Sequence, residues 1–220
     1  MQSIREKLKV RSLKVQGRGH VSAEPDLVTL SFDIEAHSME YAKSLHHLNK
    51  RVDALRNDIS SSGLDTAELR TGSFSVRVAT RYENDVSVFD GYYASHRMRI
   101  ELPLEKELLN EVLLSIAKGH SGAEFNLSFS VKDKAALRKK ALDQAVQEAR
   151  GNAEVLAAAA GVKLGKLIQM DYGWAEVRLY EQDVDMYCES ASALENHAPD
   201  IEPEEVTASD NVTLVYEIEG

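Results

Sequence analysis

The amino-acid sequence predicts an α+β protein with an antiparallel or mixed sheet, and three observations carry that expectation. Several runs alternate apolar and polar residues with period two, the mark of strands with one buried and one wet face. Between them lie segments whose apolar residues recur every three or four positions, the mark of amphipathic helices. The chain of 220 residues is 43% hydrophobic, enough for a sizeable core, yet no stretch approaches the roughly 18 apolar residues that a membrane span needs.

Val28, Leu30, Phe32 and Ile34 alternate with Thr29, Ser31, Asp33 and Glu35, and this is the clearest strand. Similar runs carry Phe74, Val76 and Val78; Ala94, His96, Met98, Ile100 and Leu102; Phe125, Leu127, Phe129 and Val131; and Val212, Leu214, Tyr216 and Ile218. One-sided strands of this kind suit a sheet covered on one face. Tyr41, Leu45, Leu48, Val52, Leu55 and Ile59 form a stripe along a helix that Ser38 can cap and Gly63 can end. A second helix follows Pro103, with Leu108, Leu109, Val112, Leu113 and Ile116 inward and Gly119 past its end. The third and longest runs from near Asp133 to Gly161 on a stripe of Leu137, Ala141, Ala145, Ala149, Ala153, Leu156 and Ala160, alanine permitting close approach to what lies beneath.

From the second strand to the fifth, the order is that of a ferredoxin-like β-α-β-β-α-β unit. The expected organisation is one domain over 1–220, with sub-units at 26–132 and at 1–25 joined to 133–220. The stretch 175–205, with weak periodicity and two prolines, reads as a long acidic loop. Residues 181–220 hold twelve Asp or Glu and no Lys or Arg, whereas the first 180 carry 26 basic against 24 acidic residues. A short basic run at Arg5, Lys7, Lys9, Arg11 and Lys14 lacks aromatic interleaving, and with a net charge of −10 the expectation is no nucleic-acid partner.

Several segments resemble the SIMPL-domain family (domain of unknown function 541). They are VQGRGHVSAEPDLVTLSFDIEA at 15–36, SSGLDTAELRTGSFSV at 61–76, FDGYYASHRMRIEL at 89–102, ALRKKALDQAVQEARGNAEVLAAAAGVKLGKLIQM at 136–170, and the closing VTASDNVTLVYEI. The Ala-rich helix ending in an Ala-Gly-x-x-Leu-Gly-Lys turn is the most specific of these. In physical terms, Gly17 and Gly19 within a strand suggest a bulge or a close backbone approach, Pro25 with Asp26 a turn, and Gly161 and Gly165 a helix stop and tight re-entry. The resemblance implies a mostly uncharacterised protein with loose links to stress responses or signalling and a tendency to form oligomers. It assigns no catalytic residue to these positions. Many bacterial relatives carry a secretion signal, whereas this chain opens on a charged segment, so the expected location is the cytoplasm, or the periplasm and envelope if a leader has been removed.

No catalytic set stands out, and neither a catalytic residue nor a cofactor is expected. Gly17-Arg18-Gly19-His20 lacks the Lys-Ser/Thr ending of a phosphate loop and the third glycine of a dinucleotide fingerprint. Adjacent His46 and His47 point about 100° apart on a helix and make no metal pair. His20, His37, His96, His120 and His197 are scattered, no Gly-x-Ser-x-Gly elbow occurs, and the lone Cys188 lies in an acidic stretch that would blunt its reactivity. Glu181, Asp183 and Asp185 are weak candidates for a cation site, without the spacing of a calcium loop. The leading expectation is a non-enzymatic structural or interaction protein that forms a homo-oligomer or docks a protein partner. A cation-binding module on 181–205 and an unrecognised hydrolase are the alternatives.

Overall fold

A computed structural model of the chain describes residues 11–119, 121–172, 178–180, 182–186 and 202–220. The chain divides into two compact units, one from 25–130 with 181–204 and the other from the remainder. Among the described residues no helix is long and apolar enough to cross a membrane.

The first of these units is a five-stranded antiparallel sheet. Its strands are β2 (Leu27–Ser38), β3 (Arg70–Glu83), β4 (Val86–Pro103), β5 (Glu124–Ser130) and β8 (Gln182–Met186), in the order β3-β4-β2-β5-β8. With helices α1 (Tyr41–Ser61) and α2 (Lys106–Lys118) after the first and third of its leading four strands, this is the order that a ferredoxin-like unit requires. Alternation dictates the core: Val28, Leu30, Phe32 and Ile34 of β2, with Met98, Ile100 and Leu102 of β4 and Leu127 and Phe129 of β5, are fully or almost fully buried. Leu48, Val52, Leu55 and Ile59 of α1 and Leu109, Val112, Leu113 and Ile116 of α2 close over them in one cluster. Leu108 sits at its margin rather than inside.

Three local expectations are corrected here. Ser38 is the last residue of β2, and its hydroxyl accepts from the Glu40 amide at 3.3 Å while Glu40 holds the cap position of α1, so the helix begins two residues later than a Ser38 cap would place it. Tyr41 is consequently half exposed at the helix mouth. The strand with Phe74, Val76 and Val78 turns these residues to one face as expected, opposite His96, Ala94 and Tyr92, but among the described residues β3 is an edge that is covered incompletely: Val76 packs against the core cluster, whereas Phe74 and Val78 are more than half exposed.

The other unit is a sheet in the order β1-β9-β6, formed by β1 (Ser12–Ala23), β9 (Val206–Glu219) and β6 (Lys163–Asp171), with β7 (Arg178–Tyr180) also on β9. Helix α3 (Lys134–Ala159) lies on it, capped by Asp133, whose carboxylate accepts from the Ala136 amide at 2.8 Å. Gly161, at φ 68°, ends the helix in the left-handed region as a C-terminal glycine does. Leu137, Ala141, Ala145, Ala149, Ala153 and Ala157 are buried in a row stepping by four. Leu156 and Ala160, expected on that row, are exposed.

The four-residue step has a physical origin. Four helical residues rise about 6.0 Å and two strand residues about 6.6–6.8 Å, so a row of alanines four apart advances nearly in step with one face of β1. A Cβ at Gly17 would lie 2.0 Å from the Ala145 carbonyl oxygen and one at Gly19 1.6 Å from that of Ala141. These glycines therefore serve close backbone approach; the β1–β9 register runs without a bulge from Ser12 to Ala23.

The stretch 175–205 is not loop throughout: β7 and β8 fall in it. Gln182-Asp183-Val184-Asp185-Met186 alternates polar and apolar residues over five positions, a strand pattern masked by the acidic composition around it.

Candidate interaction surface

The β3–β4 hairpin turns on Asn84 and Asp85, both at positive φ (52° and 60°), the geometry of a two-residue primed turn whose twist matches the strands. Strand β2 accompanies β4 only from Tyr92 onward, so among the described residues β4 residues 86–89 pair with β3 alone and the hairpin projects as a two-stranded arm. At its root Gly91 adopts φ 93°, and a Cβ there would stand 2.5 Å from the Ser38 carbonyl oxygen. A register shift between Val78 and Thr80 tucks Ala79 inward.

Several exposed side chains of β3 and the arm are apolar. Phe74, Val78, Val86 and Phe89 are about half exposed or more, and Tyr82 is 82% exposed. An aromatic junction holds its root: Tyr92 meets Tyr41 and Phe89 edge-on, with centroids 5.6 and 5.5 Å apart. The Arg77 guanidinium lies 4.9 Å over the Tyr93 ring, which also stacks at a tilt on His37 at 4.7 Å. Farther along the sheet, Arg97 and Asp33 make a two-pronged pair at 2.8 and 3.2 Å that raises the Arg97 pKa, through the hydrogen bond first and charge second. Exposed pairs of this kind add little stability but fix side-chain position.

The histidines do not assemble a catalytic set among the described residues. His20 Nδ1 lies 2.9 Å from the Ser209 hydroxyl on exposed strand surface, and the half-buried His96 places Nε2 3.0 Å from the hydroxyl of Thr71, each with no carboxylate on the other ring nitrogen. His37 Nε2 bonds the Asp90 carbonyl, and His46 and His47 stand exposed on α1. Burial first and the nearby Arg56 charge second lower the His96 pKa. Its folded state thus binds fewer protons than the unfolded chain just below the ordinary histidine range, so stability is full above that range and falls as pH drops through it. His96→Gln is expected to flatten the slope of melting temperature against pH between about 7 and 5.

Among the described residues no three of His, Cys, Asp and Glu gather as metal ligands. Glu181, Cys188, His120 and His197 lie outside the described residues. Asp183 and Asp185 belong to β8, in register with Ser128 and Asn126 of β5.

Gly17-Arg18-Gly19-His20, weighed as a phosphate loop, is instead the edge of a sheet. The Arg18 amide donates to Glu148 at 2.5 Å, the His20 amide to Gln144 at 2.9 Å, and Asn152 donates to the Gln16 carbonyl at 3.2 Å. Side chains four apart on α3 thus stand where a neighbouring strand would, covering part of the β1 edge. Their four-residue spacing beside the alanine row was the available signal.

The profile of the SIMPL family, described as a protein of unknown function (DUF541), matches residues 13–216. An uncharacterised protein YggE of Edwardsiella ictaluri is 24% identical over 204 residues, covering 92% of this chain and 84% of that one. The 26 kDa periplasmic immunogenic proteins of Brucella melitensis and Brucella abortus are each 25% identical over 168 residues, covering 72% of this chain and 65% of theirs. The expectation of a cytoplasmic location finds no support among these relatives.

Proposed function

The chain belongs to the SIMPL family of proteins of unknown function, and we propose that it is a non-enzymatic interaction protein that assembles with copies of itself through the β3–β4 arm. The observation that carries this reading is the arm itself: among the described residues no third strand lies beside residues 86–91, and the arm and its root bear Val78, Tyr82 and Phe89 in solvent, with Val86 on the other face from Tyr82 and Phe89. A lone hairpin is marginally stable in water, and the exposed aromatic side chains of Tyr82 and Phe89, which the register puts on one face of the hairpin, gain free energy when a second surface covers them. Among the described residues β3 has no strand on its outer side, and that edge supplies main-chain donors and acceptors for the same contact. The named compartment of the Brucella relatives favours the periplasm for this chain too.

The test is solution mass by light scattering coupled to size exclusion over a hundredfold dilution, for the native chain and for Val78→Asp with Phe89→Asp. A closed oligomer that the double variant reduces to a monomer of about 24 kDa is expected. A native chain that is monomeric throughout, or an oligomer indifferent to both substitutions, defeats the reading.

A further inference from the structure

The side-chain ladder on β1 stops short. Its rungs pair Gln144 with His20, Glu148 with Arg18 and Asn152 with Gln16, four helix residues for every two of the strand. The next rung in that series joins position 156 to Lys14, and position 156 is leucine, which has neither donor nor acceptor. Backbone groups of alternate residues point to the same edge of a strand, so those of Lys14 face outward as those of Gln16 and Arg18 do. Among the described residues nothing bonds the Lys14 amide or carbonyl on that side.

A groove of about 560 Å³ opens where the ladder ends, lined by Lys14, Val15, Gln16, Asn152, Val155 and Leu156. Val155 is 69% and Leu156 49% exposed, two aliphatic side chains in solvent next to an uncovered strand edge. Lys14 projects from the opposite face of β1 to buried Val15, its cross-strand neighbour on β9 is the uncharged Val215, and it makes no ion pair among the described residues.

We infer that this uncapped stretch of the β1 edge is a docking site for an extended peptide segment of a partner protein, in which aliphatic residues alternate with acidic ones. Added as a strand, such a segment supplies the missing main-chain partners of Lys14. Period two places its aliphatic side chains on the helix side, against Leu156 and Val155, and its carboxylates on the other face beside the Lys14 ammonium. A uniformly apolar strand would leave Lys14 without a countercharge, and a basic one would be repelled by it. The site lies on a different strand from the hairpin arm and does not rest on the assembly reading.

The probe is a fluorescein-labelled synthetic peptide of alternating aspartate and valine, titrated with the full chain by fluorescence anisotropy at low salt. Saturable binding is expected, with a peptide of alternating lysine and valine failing to bind. Leu156→Gln is the decisive variant: it keeps an exposed helix position, supplies the missing rung to Lys14, and should weaken the peptide by about tenfold or more, roughly 1.4 kcal/mol, without lowering the melting temperature. Lys14→Glu should also weaken it, whereas Val78→Asp with Phe89→Asp should leave it unchanged. Absence of binding by the native chain, or equal binding by Leu156→Gln, overturns the proposal. Loss of self-association in Leu156→Gln without any peptide binding overturns it too, and assigns the groove to a second copy of this chain.

Discussion

Gly19→Ala is expected to destabilise the unit that contains α3 by about 3 kcal/mol or more, at the upper end of what overpacking costs. The added Cβ would stand 1.6 Å from the Ala141 carbonyl oxygen and 2.6 Å from its carbon, and the atoms in its way are helix backbone with no rotamer to change. Relief requires moving α3 off β1. That displacement would open the contacts of the alanine row with Val15, Val212 and Leu214 and break the bonds from Gln144 and Glu148 to the strand edge. Guanidinium unfolding followed by circular dichroism measures the change as a lowered midpoint. Gly151→Ala is the control, because nothing lies within 4 Å of a Cβ there and the residue is inside a helix, so the same chemical change should stabilise by about 0.5–1 kcal/mol. If both substitutions are equally tolerated, close approach does not explain Gly19.

Phe32→Ala should cost about 3–5 kcal/mol in the other unit. Phe32 is fully buried on β2, the strand that both β4 and β5 flank, and its ring meets Phe125 at a centroid distance of 6.2 Å and a tilt of 51°. Rigid strands on both sides limit collapse into the cavity, so the cavity cost adds to the lost transfer free energy. Phe74→Ala, an identical truncation on the exposed edge strand, should fall within about 0.5 kcal/mol of the native chain. Denaturant unfolding of both variants separates the two environments, and a Phe74 variant as damaged as the Phe32 one would show that Phe74 is packed as tightly as Phe32.

Where one periodicity governed a segment, the sequence was legible. Val28 to Ile34 and the stripe from Leu48 to Ile59 went to the core as their spacing predicts, because each element has one face against it. Errors arose where two periodicities or an edge intervened. A 3.6-residue repeat sends the end of the α3 stripe to Leu156 and Ala160, whereas the helix follows β1 in steps of four and buries Ala157. The apolar alternation of Phe74, Val76 and Val78 is genuine, yet whether anything covers it depends on strand order, which alternation does not encode. The arm was invisible for the same reason: it exists because β2 ends beside Tyr92 while β4 continues to Val86. Gln144, Glu148 and Asn152 resemble any solvated helix face until the glycine strand is placed beneath them.

The pairing of a four-residue helical step with a two-residue strand step works as a vernier. From Leu137 to Ala157 the helix advances about 30 Å, while ten strand residues advance about 33 Å, so the two scales slip by about half a strand repeat over the buried row. They coincide best midway, where Gly17 and Gly19 meet Ala141, Ala145 and Ala149, and diverge toward the ends. The contact thus has a natural length set by the two rises per residue. A longer α3 over a longer β1 would bring alanines over the gaps between strand side chains, so further residues would add helix without adding fit.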